Sequence, residues 1–449
     1  MRRLLSEIQR TSPPLLDTLT LSVTYPAQSS RIGRIDFPEE VLEEMASRLK
    51  VIGVHHFGDP TTWRSFMFQE LTALHLSLSH TSTGLPRKQL LTILKDCPAL
   101  EALYLSGCLD VADQSPRVSQ EPIELPRLRS LDVADSFSMV FMFLVQDIFI
   151  SNLESLCLKL RLEPHSDMPA LRLLAVQTLL SSGLQKCDMP HALVVEISST
   201  LNASIEFFTH SQSSQPNHSD HPSTHRIYMK PKGRPKIRVE FFTEIHANLP
   251  SFDILNPVFN LLDAVPQVLS RVEVLSVETF STRISVGMVM KHFGSMRTVK
   301  CLVLTGTECS VSFVDVLGRC RTLEAQDFGP IKGGDREADT QRATNVPFFF
   351  ESLEHLMFRG TDLIDNQFEP GGGQGSNGAT PQLGYLLLDT LRRRRGEGWA
   401  CGIRRIGLEA MFGLPEEVYD ILEEIKAMGI TTRTSLLVIE NLVLTVREF

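Results

Sequence analysis

The chain of 449 residues is 42% hydrophobic and 22% charged, with a formal net charge of −9 and a pI of about 5.8. That balance excludes wholesale disorder, leaves ample length for a large core and disfavours a dedicated nucleic-acid binder, although a local basic patch is compatible with it. Sixty-two leucines against two Trp and five Tyr are the imbalance of a repeat protein, for which the usual figure of roughly 150 residues per domain is no guide.

At the N-terminus, Met1-Arg2-Arg3-Leu4-Leu5-Ser6-Glu7 is basic but lacks the apolar stretch of a secretory signal. One pattern then recurs along the chain, apolar-x-x-apolar-x-apolar. It is carried by Leu16/Leu19/Leu21, more weakly by Leu49/Ile52/Val54, then by Leu71/Leu74/Leu76, Leu100/Leu103/Leu105, Leu128/Leu131/Val133 and Leu153/Leu156/Leu158. The second half repeats it at Val272/Leu275/Val277, Val299/Leu302/Leu304, weakly at Leu323/Gln326/Phe328, and again at Leu353/Leu356/Phe358 and Ile403/Ile406/Leu408. Central positions step by 29, 28 and 25 residues from Leu74 to Leu156 and by 27 from Leu275 to Leu302. The 54 residues from Leu302 to Leu356 make two such steps, and the period is least regular over 161–270.

The last two apolar positions of each copy alternate at period two, as one buried face of a short strand requires. Helical spacing follows at Arg87–Lys95, 168–180 and 382–393, and the apolar run 139–145, bounded by Asp135 and Asp147, reads as a buried helix. That run is far shorter than the roughly 20 residues a bilayer span needs. A strand and helix this short cannot cover their own apolar faces, so each unit must stack on its neighbours. The predicted fold is therefore α/β: one leucine-rich-repeat solenoid over 1–449, a horseshoe of the ribonuclease-inhibitor type with a parallel inner sheet and outer helices. Polar insertions are expected at 209–225 (His- and Ser-rich) and 366–381 (Gly-rich), and a break within 161–270 would return two domains. A doubly wound enzyme is the competing layout, but its strands are continuous apolar runs led by a glycine-rich first turn.

Motifs with chemistry are few. Gly373-Gln374-Gly375-Ser376-Asn377-Gly378 spells GxGxxG, yet Pro370-Gly371-Gly372 leads into it instead of a buried strand, so it reads as a flexible insertion. His210, His218, His221 and His225 lie among Ser, Gln and Pro, and Pro222 opposes the helix that would pair His221 with His225 on a metal. Lys230-Pro231-Lys232-Gly233-Arg234-Pro235-Lys236 resembles the core of a minor-groove hook, but the same residues make a turn before a strand at Ile237–Phe242. Arg392–Arg395 fits a nuclear-import patch and equally a helix C-terminus, where the macrodipole favours cations. Eight cysteines without a CxxC pair form neither a disulfide framework nor a zinc pattern, so a reducing, cytoplasmic or nuclear setting is expected, and Cys157 and Cys301 are read as structural. No G-x-S-x-G, H-E-x-x-H or P-loop is present. No catalytic residue, cofactor or metal is expected.

Cys97-Pro98-Ala99-Leu100-Glu101-Ala102-Leu103-Tyr104-Leu105-Ser106-Gly107-Cys108 resembles the cysteine-containing leucine-rich repeat of F-box/LRR proteins, and Cys320-Arg321-Thr322-Leu323 repeats its opening. The texture from Phe66 to Leu160 is similar to the large F-box/LRR-like families of mushroom-forming fungi. The resemblance implies the substrate-recognition part of a ubiquitin ligase, whose F-box recruits a Skp1–cullin core. The chain departs from that pattern at its N-terminal end. Phe37-Pro38-Glu39-Glu40-Val41-Leu42-Glu43-Glu44-Met45, followed by Trp63-Arg64-Ser65, opens like an F-box, but it lies between repeat strands and is read as an irregular repeat. Skp1 is thus an expected partner only if the full gene product supplies an F-box, as from sequence upstream of Met1.

The inner sheet of such a solenoid is the surface open to partners. Residues between and after the apolar strand positions would face it: His75, Tyr104, Asp132, Lys159, Glu278, His355, Arg359, Arg405 and Glu409. Tyr and Arg are favoured interface anchors, which puts Tyr104, Arg359 and Arg405 first. The function expected is a non-catalytic protein–protein interaction module that holds a protein substrate or ligand, with no membrane partner. The alternatives are a free-standing repeat scaffold unrelated to ubiquitin and a DNA-associated protein using 230–236.

Overall fold

The computed structural model describes residues 17–22, 49–55, 69–78, 85–109, 122–150, 152–162, 190–199, 202–209, 236–242, 254–263, 265–279, 284–319, 349–361, 382–396, 402–411, 416–440 and 443–448. Outside them lie the F-box-like segment, the helical spacing at 168–180, nearly all of 209–225, 230–235, the Cys320 repeat opening and the Gly-rich run 366–381. The chain is a mixed α/β protein with a mostly parallel sheet. It divides into two compact units, Met1–Asp188 with Pro235–Pro257, and Met189–Arg234 with Val258–Phe449. All three boundaries fall in the stretch where the repeat is weakest.

In the first unit each leucine triplet becomes a strand. β1 (Thr18–Ser22), β2 (Val51–His55), β3 (Ala73–Ser77), β4 (Ala102–Ser106), β6 (Ser130–Ser136), β8 (Ser155–Arg161) and β11 (Ile237–Phe242) lie side by side in that order, all parallel. A short ladder joins β5 (Ile123–Glu124) to β7 (Ile148–Phe149). The register keeps the repeat in step: Leu74, Leu103, Leu131, Leu156 and Ile237 form one row, and Leu76, Leu105, Val133, Leu158 and Val239 the next. Both rows are buried, whereas the alternate residues of β4, β6 and β8 are half-exposed over most of their length. This is the period-two pattern of a sheet with one face against a core.

Helix α1 (Arg87–Lys95) adds Leu90, Ile93 and Leu94 to that core. The apolar run 139–145 folds as α2 (Phe137–Met142) continued by a π-helical turn, Phe143–Asp147, and buries Val140, Phe143 and Leu144. Arg87 holds the buried Asp147 carboxylate with two hydrogen bonds, Nε to Oδ2 at 2.8 Å and a second from Nη2 to Oδ1. The cysteines of the repeat are structural. Cys97 Sγ donates to Ile93 O at 3.1 Å, and Cys108 Sγ donates to Leu76 O at 3.2 Å, tying the loop after β4 to the neighbouring strand.

The second unit orders β10 (Asn202–Thr209), β9 (Pro190–Ser199), β12 (Val274–Thr279), β13 (Cys301–Thr305), β14 (His355–Arg359), β15 (Arg405–Met411), β16 (Thr431–Glu440) and β17 (Val443–Glu448). The two terminal pairs are antiparallel hairpins, β9–β10 and β16–β17, which the repeat pattern did not anticipate, and the rest are parallel. Helices α3 (Leu255–Asp263), α4 (Pro266–Leu269), α5 (Val286–Phe293), α6 (Thr307–Leu317), α7 (Leu383–Gly396) and α8 (Glu416–Ala427) intervene. A chain of buried rings, Phe259, Phe293, Phe313 and Phe350, links successive elements at centroid distances of 5.9, 5.4 and 6.2 Å. Gly306 joins β13 to α6 at φ +95°, where a Cβ would come within 2.0 Å of Thr279 O, so only glycine fits.

The arginine run closes α7 as a helix C-terminus. Arg392 pairs with Glu424, Arg393 with Asp389, and Arg394 is buried, donating to Leu317 O and Phe349 O. Three of the four guanidiniums are therefore committed within the fold.

Leu103→Ala should lower the unfolding free energy by about 2–5 kcal/mol, because it empties the centre of a buried row. Ser106→Ala on the same strand should change it by no more than about 0.5 kcal/mol. Urea denaturation of both variants measures the contrast.

Candidate functional site

The half-exposed positions of the first unit form rows of their own. Thr20, Gly53, His75, Tyr104, Asp132, Cys157 and Arg238 occupy successive rungs, and Ser106, Ala134, Lys159 and Glu240 part of the next row. Side chains on one row of neighbouring strands sit about 5 Å apart, so the register decides which of them meet. His75 stacks on Tyr104 with centroids 5.9 Å apart and planes inclined at 26°. Arg238 pairs with Glu240 on its own strand, and Lys159 Nζ reaches Glu240 at 4.0 Å.

The electrostatics follow from partial burial. Desolvation pushes the Asp132 carboxyl above its ordinary range, against the pull of the Lys159 ammonium, a hydrogen bond from the Cys157 thiol and the Arg238 guanidinium. Asp132 Oδ1 is shielded from solvent and accepts no hydrogen bond. His75 is held below the usual imidazole range by burial and by neighbouring His55, with Asp132 opposing the shift. His55 leans over the side-chain-free position of Gly53, its Nε2 3.5 Å from where a Cβ would stand.

The second unit gathers the other predicted residues. Cys301, His355 and Arg405 share one row, and Glu278, Thr305, Arg359 and Glu409 another. Arg359 Nε donates to Glu409 Oε2 at 2.7 Å, and Ser276 Oγ donates to Glu278 Oε1 at 3.5 Å. Burial lowers the His355 pKa, with the Arg405 and Arg404 cations adding to the shift and Glu354 opposing it. Between the polar rows this face is apolar. Ala192, Val194 and Phe208 form one buried cluster and Cys301, Val303 and Met357 another, with Val274 against both. Arg359 is thereby half-buried in an ion pair rather than free as an anchor, whereas among the described residues the Tyr104 ring is committed only to His75.

Of the nine predicted residues, His75, Tyr104, Asp132 and Lys159 assemble in the first unit, and Glu278, His355, Arg359, Arg405 and Glu409 in the second. Sequence reasoning passed over Gly53, His55, Cys157, Arg238 and Glu240. For the last two a signal existed, since Ile237-Arg238-Val239-Glu240-Phe241 alternates at period two without the leucine signature.

The thiols of Cys97, Cys108, Cys157, Cys301 and Cys309 are all pushed up to about 12, chiefly by burial, which keeps them protonated near neutrality. Among the described residues no group of three His, Cys, Asp or Glu side chains could hold a metal ion, and no helix is long and apolar enough to cross a membrane. No protein-family model and no curated protein matches the chain.

Iodoacetamide should modify half-exposed Cys157 at least about tenfold more slowly than a free thiol at pH 8, read by mass spectrometry of its peptide. Asp132→Asn should be more stable than the parent at pH 7. A carboxyl whose folded pKa is raised binds more protons folded than unfolded, so its charge costs stability once pH exceeds the ordinary aspartate range. The advantage should shrink as pH falls towards about 4, and denaturant titrations at both pH values measure it.

Proposed function

We propose that this chain is a non-catalytic protein–protein interaction module, a leucine-rich-repeat solenoid that holds a protein partner on its sheet face. The observation that carries the reading is the aligned row His75–Tyr104–Asp132–Cys157–Arg238, five chemically distinct side chains brought side by side on consecutive parallel strands. Such a row presents one functional group about every 5 Å along a line, a spacing that suits an extended segment or a protein edge. Tyr104 and His75 add flat, half-exposed rings of the kind enriched at interfaces. Protonated thiols argue in the same direction, since they leave the face without an activated nucleophile.

The similarity of the Cys97–Cys108 repeat to F-box/LRR proteins supports a role as the substrate-recognition part of a Skp1–cullin ubiquitin ligase, acting in the reducing cytoplasm or nucleus. The free-standing scaffold shares the same binding face and differs only in lacking Skp1. DNA association through 230–236 draws no support from this row.

Immobilised full-length chain should capture a defined set of proteins, and Tyr104→Ala should remove that set while leaving the circular dichroism spectrum and Tm intact. Capture that survives Tyr104→Ala and is instead lost with Tyr385→Ala, an exposed tyrosine on α7, would falsify the sheet-face reading. Skp1 co-purifying with the full gene product assigns the ligase role; its absence assigns the free-standing scaffold.

A further inference from the structure

We propose that the His75–Tyr104–Asp132 end of the row is an anchor for a basic side chain, arginine or lysine, presented by an extended segment of a partner protein. The inference rests on the sheet-face reading above and names the chemistry of the partner. Its ground is charge complementarity along the row. At one end Arg238 pairs with Glu240 on β11, and Lys159 of β8 approaches the same carboxylate. At the other end stand an imidazole, a phenol and a carboxylate, and only the carboxylate is charged at neutral pH because burial and His55 keep His75 unprotonated.

Two further features fit a cation there. The stacked His75 and Tyr104 rings offer a flat shelf for a guanidinium or for the alkyl stem of a lysine, with the carboxylate on the next rung to meet the charge. The protein also leaves the hydrogen-bonding capacity here only partly used, Asp132 accepting from the Cys157 thiol. Among the described residues neither the Tyr104 hydroxyl nor the His75 ring is hydrogen-bonded, and Asp132 Oδ1 has no donor.

The test uses the full chain and fluorescein-labelled hexa-arginine, with hexa-glutamate as the opposite probe, read by fluorescence anisotropy. Hexa-arginine should bind, and Asp132→Asn and Tyr104→Ala should each weaken it by at least about fivefold, while Tyr104→Phe retains binding because the ring is kept. Lys159→Ala should bind as tightly as the parent or tighter. Affinity should fall with falling pH, because protonation of His75 and of the Asp132 carboxyl, which burial shifts upward, each weakens the attraction for a cation.

Weakening of equal size with Glu417→Gln, an acid exposed on α8, would mean that hexa-arginine responds only to overall negative charge and would overturn the anchor. Tighter binding of hexa-glutamate would overturn it as well. So would saturable zinc binding that competes with the peptide and is lost with His75→Ala, since the site would then be a metal site. If hexa-arginine ignores Asp132→Asn and Tyr104→Ala while partner capture is still lost with Tyr104→Ala, the anchor fails and the sheet face stands. If neither assay responds to Tyr104→Ala, the sheet-face reading fails too.

Discussion

The first unit depends on one constraint, the in-register burial of its leucine rows. Leu74, Leu103, Leu131 and Leu156 must lie opposite one another because a slip of one residue on any strand would turn its entire apolar set to water. Each buried leucine contributes about 1.5–3 kcal/mol relative to exposure, so a slipped strand forfeits several such terms at once. Everything polar inherits this register. Tyr104 stands beside Asp132 because Leu103 stands beside Leu131, and the polar row is a by-product of the hydrophobic one.

In the second unit the same repeat serves a different purpose. Strands β9, β10, β13 and β14 bury residues on both faces, with Val194, Val303 and Met357 opposite the leucine side. Such doubly buried strands read as continuous apolar runs, as in Ala192-Leu193-Val194-Val195 and Cys301-Leu302-Val303-Leu304. Polar residues are nevertheless present, and Arg359 and Glu409 neutralise each other. The His292–Asp263 contact at 2.6 Å, with the His292 ring stacked on Phe259 at 4.6 Å, is likewise consumed internally, tying α5 to α3.

Partial burial gives the first unit's face its character. Asp132 retains a charge that its surroundings stabilise poorly, His75 is kept neutral, and Cys157 is kept protonated. These shifts share one cause, removal of water from side chains packed shoulder to shoulder at the strand spacing. Perturbed groups of this kind are found at functional sites. Here they combine with stacked rings and a carboxylate oxygen without a donor.

Much of this was legible in the sequence. The apolar-x-x-apolar-x-apolar copies located strands β1 to β4, β6, β8 and β12 to β15, because period-two burial is written locally in residue type. The helices at Arg87–Lys95 and within 382–393, and the buried run 139–145, were readable for the same reason. The irregular period over 161–270 marked where the two units divide, but the two hairpins and the return of β11 to the first unit were not readable, since pairing direction and partner depend on residues far apart in the chain. His75, Tyr104, Asp132 and Lys159 could be named as outward-facing from spacing alone. That Cys157, Arg238 and Glu240 complete their rows, that Arg359 is spent on Glu409 and that Arg394 is buried were decided only by the tertiary structure, where register and distance determine which charges meet.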